Sequence, residues 1–210
     1  MSVNNVRNIY CVGWNYRLHA QELGNTVPES PIIFTKPTHA LVEMTGQEIP
    51  FPADQGSLHY EAELVLVIGK AYRPGIRVDE LVDRMALGLD MTLRDKQNEV
   101  KKQGRPWLSC KGFLRSALIT KTLPFPGIDN LGKTEFVLQK NNQEVQRGNA
   151  SLMVFAPQTL VDYIGSRYGL DAGDLIFTGT PVGVGPVNHG DHLALYWGEK
   201  QLGECTVQLG

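Results

Sequence analysis

The sequence predicts a β-rich α+β fold, and three observations lead there. Glycine (22) and proline (12) are plentiful in 210 residues, so turns are frequent. Short apolar or alternating runs recur at 9–12, 32–34, 64–68, 174–177, 193–197 and 203–209, the lengths of strands. Strong helical periodicity, by contrast, is scarce.

Composition narrows the function classes. The chain is 42% hydrophobic and 20% charged, which is globular and not disordered. A formal net charge of -2 gives no reason to expect nucleic acid or an anionic membrane as partner. No apolar run reaches the length of a membrane span, and residues 1–14 lack the apolar region of a signal peptide. Cys11, Cys110 and Cys205 are odd in number and widely spaced, with neither zinc spacing nor a disulfide framework. They point to a reducing, cytoplasmic setting. There are no repeats, low-complexity segments or linkers, so one domain over 1–210 is expected.

The first strand, 9–12, ends at Gly13, and 15–25 then reads as a short helix or turn stopped by Gly24-Asn25, with Leu23 among its apolar points. If helical, it puts His19 and Glu22 on one face at i and i+3. A carboxylate beside an imidazole orients it and raises its basicity, and the same pair on a surface is an ordinary ion pair. The polar, proline-bearing loop 26–31 lets this segment move, giving a lid over about residues 14–31. Strand 32–34 leads to Lys36, which either points into a site or snorkels to solvent. Residues 38–57 hold turn signals, and hairpins and loops are expected there.

Residues 58–69, LHYEAELVLVIG, set two carboxylates at the mouth of a buried strand. Residues i and i+2 of a strand share a face, so Glu61 and Glu63 point together at the edge of a core. Their repulsion is answered either by a hard divalent cation, which takes oxygen ligands, or by separate Lys or Arg partners. Residues 78–84 read as a short amphipathic helix. Asp90 then interrupts the apolar run 86–93, and a buried carboxylate there must be paired, hydrogen-bonded or metal-bound. Residues 94–103 form a polar helix stopped by Gly104 and Pro106, with Arg94 and Gln97 beside Asp90.

Lys111 lies in an apolar setting, where it either stabilises negative charge on a substrate oxygen or snorkels. Ser109-Cys110 is no nucleophile motif, since no G-x-S-x-G elbow is present. Residues 134–147 form a hairpin turning at Asn141-Asn142. Pro157 opens a helix whose apolar face carries Leu160, Val161, Ile164 and Tyr168. After strand 174–177 comes TGTPVGVGP, 178–186, whose glycines let backbone approach a ligand. Thr178 or Thr180 there is placed to donate to a carboxylate. The loop lacks the Gly-Lys-Ser/Thr ending of a phosphate loop.

Taken together, CVGWNYRLHAQE, FTKP, HYEAELVLVIG, LDMTLRD, KKQGRPWLSCKGF and GDLIFTGTPVGVGP resemble the fumarylacetoacetate hydrolase family, in its order and approximate spacing. The likeness is to short, single-domain members active on acylpyruvates, oxaloacetate and related 2-oxo acids. The resemblance implies a mixed β-sandwich roll, usually a homodimer, with Mg2+ as the ion and Mn2+ accepted. It implies Glu61, Glu63 and Asp90 as metal ligands, Lys111 as the active-site lysine, and His19 and Glu22 as a dyad on a mobile lid. Arg94, Gln97, Thr178, Gly179 and Thr180 match substrate-site positions, as does Lys36. Trp14 and Thr35 depart from the family's usual residues. The activity expected is metal-dependent C–C hydrolysis of an acylpyruvate, with His19 activating water and an enolate as product. Oxaloacetate decarboxylation or tautomerisation, and isomerisation of 2-hydroxyhepta-2,4-diene-1,7-dioate, use the same groups, and the fold does not choose among them.

Overall fold

The computed structural model describes residues 5–22, 24 and 26–210. Leu23 and Asn25, an apolar point and half of the stop signal expected after the first helix, lie outside the described residues. The chain begins with β1 (Ile9–Gly13), α1 (Arg17–Glu22), β2 (Ile32–Lys36), β3 (Leu41–Glu43), β4 (Glu48–Phe51), β5 (Leu58–Tyr60) and β6 (Ala62–Ile68). Next come α2 (Val78–Leu81), β7 (Val82–Asp90), β8 (Thr92–Leu93), α3 (Arg94–Lys102), α4 (Leu108–Lys111), β9 (Ala117–Ile119), β10 (Leu123–Pro124) and α5 (Ile128–Leu131). The rest comprises β11 (Phe136–Lys140), β12 (Gln143–Gly148), α6 (Pro157–Arg167), β13 (Leu175–Phe177), β14 (Gly185–Pro186), β15 (His192–Trp197) and β16 (Lys200–Leu209).

Among the described residues these strands make three sheets, ordered β2-β1-β13-β6-β7-β9-β3 with β10 added on β7, β12-β11-β15-β16-β4, and β14-β5-β8. The pairing is mixed: β1 with β13, β3 with β9 and β16 with β4 are parallel. This is the β-rich α+β architecture that the sequence predicts.

Strand periodicity explains where the core lies. Val65 and Val67 of β6 point inward, against Ile9, Cys11, Ala86, Leu175 and Phe177, within the curl of the largest sheet. Leu64, Leu66 and Ile68 point outward and pack with Phe136, Leu138, Leu193 and Leu195 of the second sheet and with Leu160, Val161 and Ile164 of α6. Both faces of β6 are buried, so it reads as one continuous apolar run. Glu63 shares the inward parity of Val65 and lies opposite Gly88. One step further the Asp90 N–H donates to the Glu61 carbonyl at 2.8 Å. The inward face is therefore apolar along its length and acidic at one end.

Three local expectations are corrected. Residues 78–84 are helical only over Val78–Leu81, because Val82 and Arg84 pair with Ile68 and Val67 and extend β7. Residues 38–57 hold no β3–β4 hairpin: β3 joins β9 and β4 joins β16, both distant in sequence. Tyr168 is exposed beyond the end of α6 and stacks on Tyr10, with ring centroids 6.3 Å apart. The Asn141-Asn142 turn does form, with φ of 53° and 64°, as a two-residue hairpin with left-handed central residues requires.

Gly88 keeps β7 close to its neighbours. A Cβ there would lie 2.5 Å from Phe177 Cε1 and 2.7 Å from the Leu118 carbonyl oxygen. Gly88→Ala should destabilise the fold by about 1–3 kcal/mol through overpacking. Urea unfolding measures this, and an unchanged midpoint would show that β7 and β13 separate at little cost.

Candidate active site

The acidic end of the curled sheet gathers residues from six parts of the chain. Glu61 precedes β6, Glu63 lies within it and Asp90 ends β7. One oxygen from each comes within 4.8 Å of the others, and all three side chains are buried. Basic groups meet two of the three. Glu61 accepts from Arg94 Nη2 at 2.5 Å and from Lys111 Nζ at 2.6 Å. Asp90 accepts from Lys111 at 2.7 Å, and Lys36 Nζ lies 2.7 Å from its other oxygen. Lys36 also donates to the Lys111 carbonyl. Both lysines point into the site, and neither snorkels.

Glu63 is treated differently. It accepts the Gly179 N–H at 2.8 Å, and no basic side chain pairs with it among the described residues. Burial, with Asp90 and Glu61 close by, pushes its carboxyl well above the usual range. Burial has the same tendency at Glu61, but Lys111 and Arg94 outweigh it and hold that carboxyl well below the usual range. At Lys111, burial opposes the charge, and Asp90 and Glu61 overcome it, so its pKa is raised and the group stays an ammonium. Lys111 also donates to Thr92 Oγ at 2.6 Å.

Arg94, expected beside Asp90, makes its hydrogen bonds to Glu61 and Gln97. One expected contact is corrected. Thr178 and Thr180 donate to the backbone carbonyls of Leu64 and Ala62, each at 2.8 Å, and not to a carboxylate. Their hydroxyls pin the loop to β6, and the Gly179 N–H makes the carboxylate contact. Gly179, at φ +97°, could carry no Cβ, since it would stand 2.7 Å from Asn15 Cβ. Buried Asn15 ties α1's approach to the same loop, donating to the Thr178 carbonyl at 2.8 Å.

His19 is buried on α1, with Nδ1 3.2 Å from Glu22 Oε2. When Nδ1 carries the proton and donates to Glu22, Nε2 is the basic nitrogen. Glu22 in turn accepts the Gly183 N–H at 3.1 Å, which links α1 to the glycine-rich loop. A small cavity lies between His19 and the acidic cluster, and its walls include His19, Gln97, Thr180 and Lys111. Trp14, Phe34 and Trp107 form its aromatic side. Sequence reasoning assigned no role to Phe34, Trp107 or Thr92, and read Gly183 only as one of the loop glycines that let backbone approach a ligand. Of the first three, Thr92 alone carried a signal, as the second polar residue of the run 86–93. The three cysteines are buried and free, and burial raises the Cys110 thiol.

The cluster suits a divalent cation. Its donors are hard oxygens, they converge, and among the described residues Glu63 has no basic partner, a charge that such an ion would supply. Glu61, Glu63 and Asp90 can therefore hold a metal ion.

Known proteins share this arrangement's sequence and fold. The family described as fumarylacetoacetate (FAA) hydrolase C-terminal matches residues 8–209. The chain is 37% identical to the oxaloacetate tautomerase YcgM of Escherichia coli, over 90% of this chain and 88% of the relative. It is 42% identical to the mitochondrial oxaloacetate tautomerase of Arabidopsis thaliana, over 88% of this chain and 83% of the relative. The mitochondrial oxaloacetate decarboxylase of Dictyostelium discoideum is 41% identical, over 88% and 85%. Among solved structures, fumarylpyruvate hydrolase from Pseudomonas aeruginosa, in complex with Mn2+ and pyruvate, superposes with a TM-score of 0.88. It is 36% identical, with 98% of this chain and 91% of that one covered. The 2-hydroxyhepta-2,4-diene-1,7-dioate isomerase of Mycobacterium marinum superposes at 0.82 and 28% identity, covering 97% and 75%. The buried acidic cluster thus lies in a fold shared with enzymes of 2-oxo acids and their enols, and the chain belongs to the fumarylacetoacetate hydrolase family.

Proposed function

We propose that the protein is a divalent-metal-dependent tautomerase that interconverts the enol and keto forms of oxaloacetate. The observation that carries this reading is one cavity lined by the acidic cluster, Lys111 and a carboxylate-oriented histidine. The oxaloacetate tautomerases at 37% and 42% identity support it over the acylpyruvate hydrolysis expected from the motifs.

Electrostatics favours a dianionic substrate. Three carboxylates face three basic side chains, Lys36, Arg94 and Lys111, and their formal charges cancel. A divalent ion leaves the site positive by two, which a 2-oxo dicarboxylate neutralises. When bound to Glu61, Glu63 and Asp90, with Mg2+ the preferred ion and Mn2+ an alternative, the metal supplies Lewis-acid stabilisation of negative charge on the 2-oxygen. Lys111, kept cationic by Asp90 and Glu61, adds a second positive group at that oxygen. It is too firmly protonated to serve as a nucleophile. His19 Nε2 moves the proton at C3, and Glu22 fixes the ring and stabilises the imidazolium. The proton leaves the enol hydroxyl and C3 gains one, so no water is consumed and no carbon–carbon bond breaks. Gln97 and Arg94 orient the oxo-acid end.

Decarboxylation is the second reading, favoured by the Dictyostelium relative. Enol oxaloacetate supplied to the enzyme with Mg2+ separates the possibilities. Faster loss of enol absorbance without pyruvate supports the tautomerase. Pyruvate from oxaloacetate supports the decarboxylase, and pyruvate from acetylpyruvate or fumarylpyruvate restores the hydrolase.

His19→Asn should lower kcat for tautomerisation by about 10²–10⁴, the usual contribution of a positioned acid–base group. Stopped-flow absorbance measures it, and a change under threefold would remove His19 from the proton path. Mn2+ at about a hundredfold its Kd should stabilise the protein by about 2.7 kcal/mol. Glu63→Gln should abolish that gain in thermal or urea unfolding. Because Glu63 must lose its proton to ligate, metal affinity should rise with pH and fall as pH drops through the raised pKa of Glu63. Calorimetry across pH tests the sign.

A further inference from the structure

One buried amide outside the cavity ties two parts of the site together. β12 is an edge strand of the second sheet with the sequence QEVQRG, and much of it is exposed. Gln146 is the exception, at 2% exposed. A glutamine is rarely so buried, and its amide must be paired there. Ala62 donates its N–H to Gln146 Oε1 at 2.8 Å. Gln146 Nε2 donates to Thr180 Oγ1 at 2.9 Å and to the Pro181 carbonyl at 3.0 Å. The Thr180 hydroxyl donates to the Ala62 carbonyl at 2.8 Å, which closes a ring through Gln146, Ala62 and Thr180.

The ring stands where strand pairing runs out. β13 pairs with β6 as far as Phe177 and Val65, and the Thr178 N–H still reaches the Leu64 carbonyl. Alternate residues of a strand turn their backbone groups to the same neighbour, so Ala62 faces this side too, past the end of β13. Buried backbone groups need partners, and Gln146 and Thr180 stand in for the missing strand. A bulge aims the amide. Leu138 pairs with Gln146 and Gln139 with Glu144, which leaves Val145 out of register. The Val145 carbonyl packs against Gly183, where a Cβ would stand 2.5 Å from it.

Ala62 lies between Glu61 and Glu63, so holding its N–H and its carbonyl holds the two peptide planes that carry those carboxylates. Across the ring, Thr180 belongs to the cavity wall, and the Gly183 N–H further along the loop holds Glu22. We infer that Gln146 is a positioning residue that, through its ring with Ala62 and Thr180, sets the spacing of Glu61 and Glu63 for a divalent ion. This rests on the metal-dependent reading above and names a residue that tunes it. Gln146 is no ligand and acts through Ala62. Groups that orient ligands in this way commonly govern metal affinity.

The test is titration of the whole protein with Mn2+ by calorimetry. Gln146→Met, similar in size but without the amide, should weaken Mn2+ by about ten- to a hundredfold. Gln158→Met is the comparison, because Gln158 clamps the Val78 N–H and the Ile76 carbonyl with the same amide, outside the cavity wall. It should lower stability and leave Mn2+ affinity within about twofold of wild type, as a distant site does. Thr180→Val opens the ring from its other side and should weaken Mn2+ similarly; it decides the matter if Gln146→Met does not fold. The double variant should bind no more weakly than Gln146→Met, since the ring is already open. Unchanged affinity in the ring variants, an equal loss in Gln158→Met, or losses that add in the double variant would overturn the role. Ring-dependent Mn2+ binding in a protein that leaves enol oxaloacetate unchanged would overturn the proposed reaction and keep the role. A wild type that binds no Mn2+ would overturn both.

Discussion

Glu61, Glu63 and Asp90 hold three carboxylate oxygens within 4.8 Å of one another inside a folded protein. Burial and mutual repulsion both oppose this, and the surrounding structure is arranged in response. Arg94, Lys111 and Lys36 converge from α3, α4 and β2, and Glu61 and Asp90 share Lys111 between them. Among the described residues, Glu63 receives only a backbone N–H. The cluster is thus balanced at two carboxylates and open to a cation at the third.

The same constraint shapes the fold around it. The carboxylates lie on the inward face of a sheet whose other inward residues are small or apolar, among them Ala86, Cys11 and Val65. A second sheet and α6 cover the outward face, so the acidic end has a rigid base. For the proposed reaction rigidity matters, because charged groups stabilise developing charge most when they need not reorganise. The dyad is mounted differently. His19 and Glu22 belong to a short helix tied to the glycine-rich loop through the Gly183 N–H. In the proposed reaction, acid–base chemistry and charge stabilisation are therefore assigned to separate elements that meet at one cavity.

Much of this was legible in the residues. The strand at 64–68, the turn at Asn141-Asn142, the helix opened by Pro157 and the helical spacing of His19 and Glu22 are local patterns of period or turn chemistry, and each is found in the structure. The paired glutamates and the lone Asp90 in its apolar run also marked the cluster, because a buried carboxylate is unusual wherever it occurs. The helix expected over 78–84 was only half formed, since pairing with β6 outweighs the amphipathic pattern of Val82–Arg84.

By itself, then, the sequence determined the β-rich class and the main elements, and it singled out the acidic and basic residues that the fold brings together. Tertiary structure alone decided which partner each one has. Glu63 and Gly179 are 116 positions apart, and Glu61 and Lys111 are 50 apart, so no local pattern reports their contact. It also decided that Thr178 and Thr180 serve the backbone, and that Lys101 stands over Trp14. The physical reason is range: periodicity and turn preference act over a few residues, whereas charge pairing and packing depend on distances that only the folded chain sets.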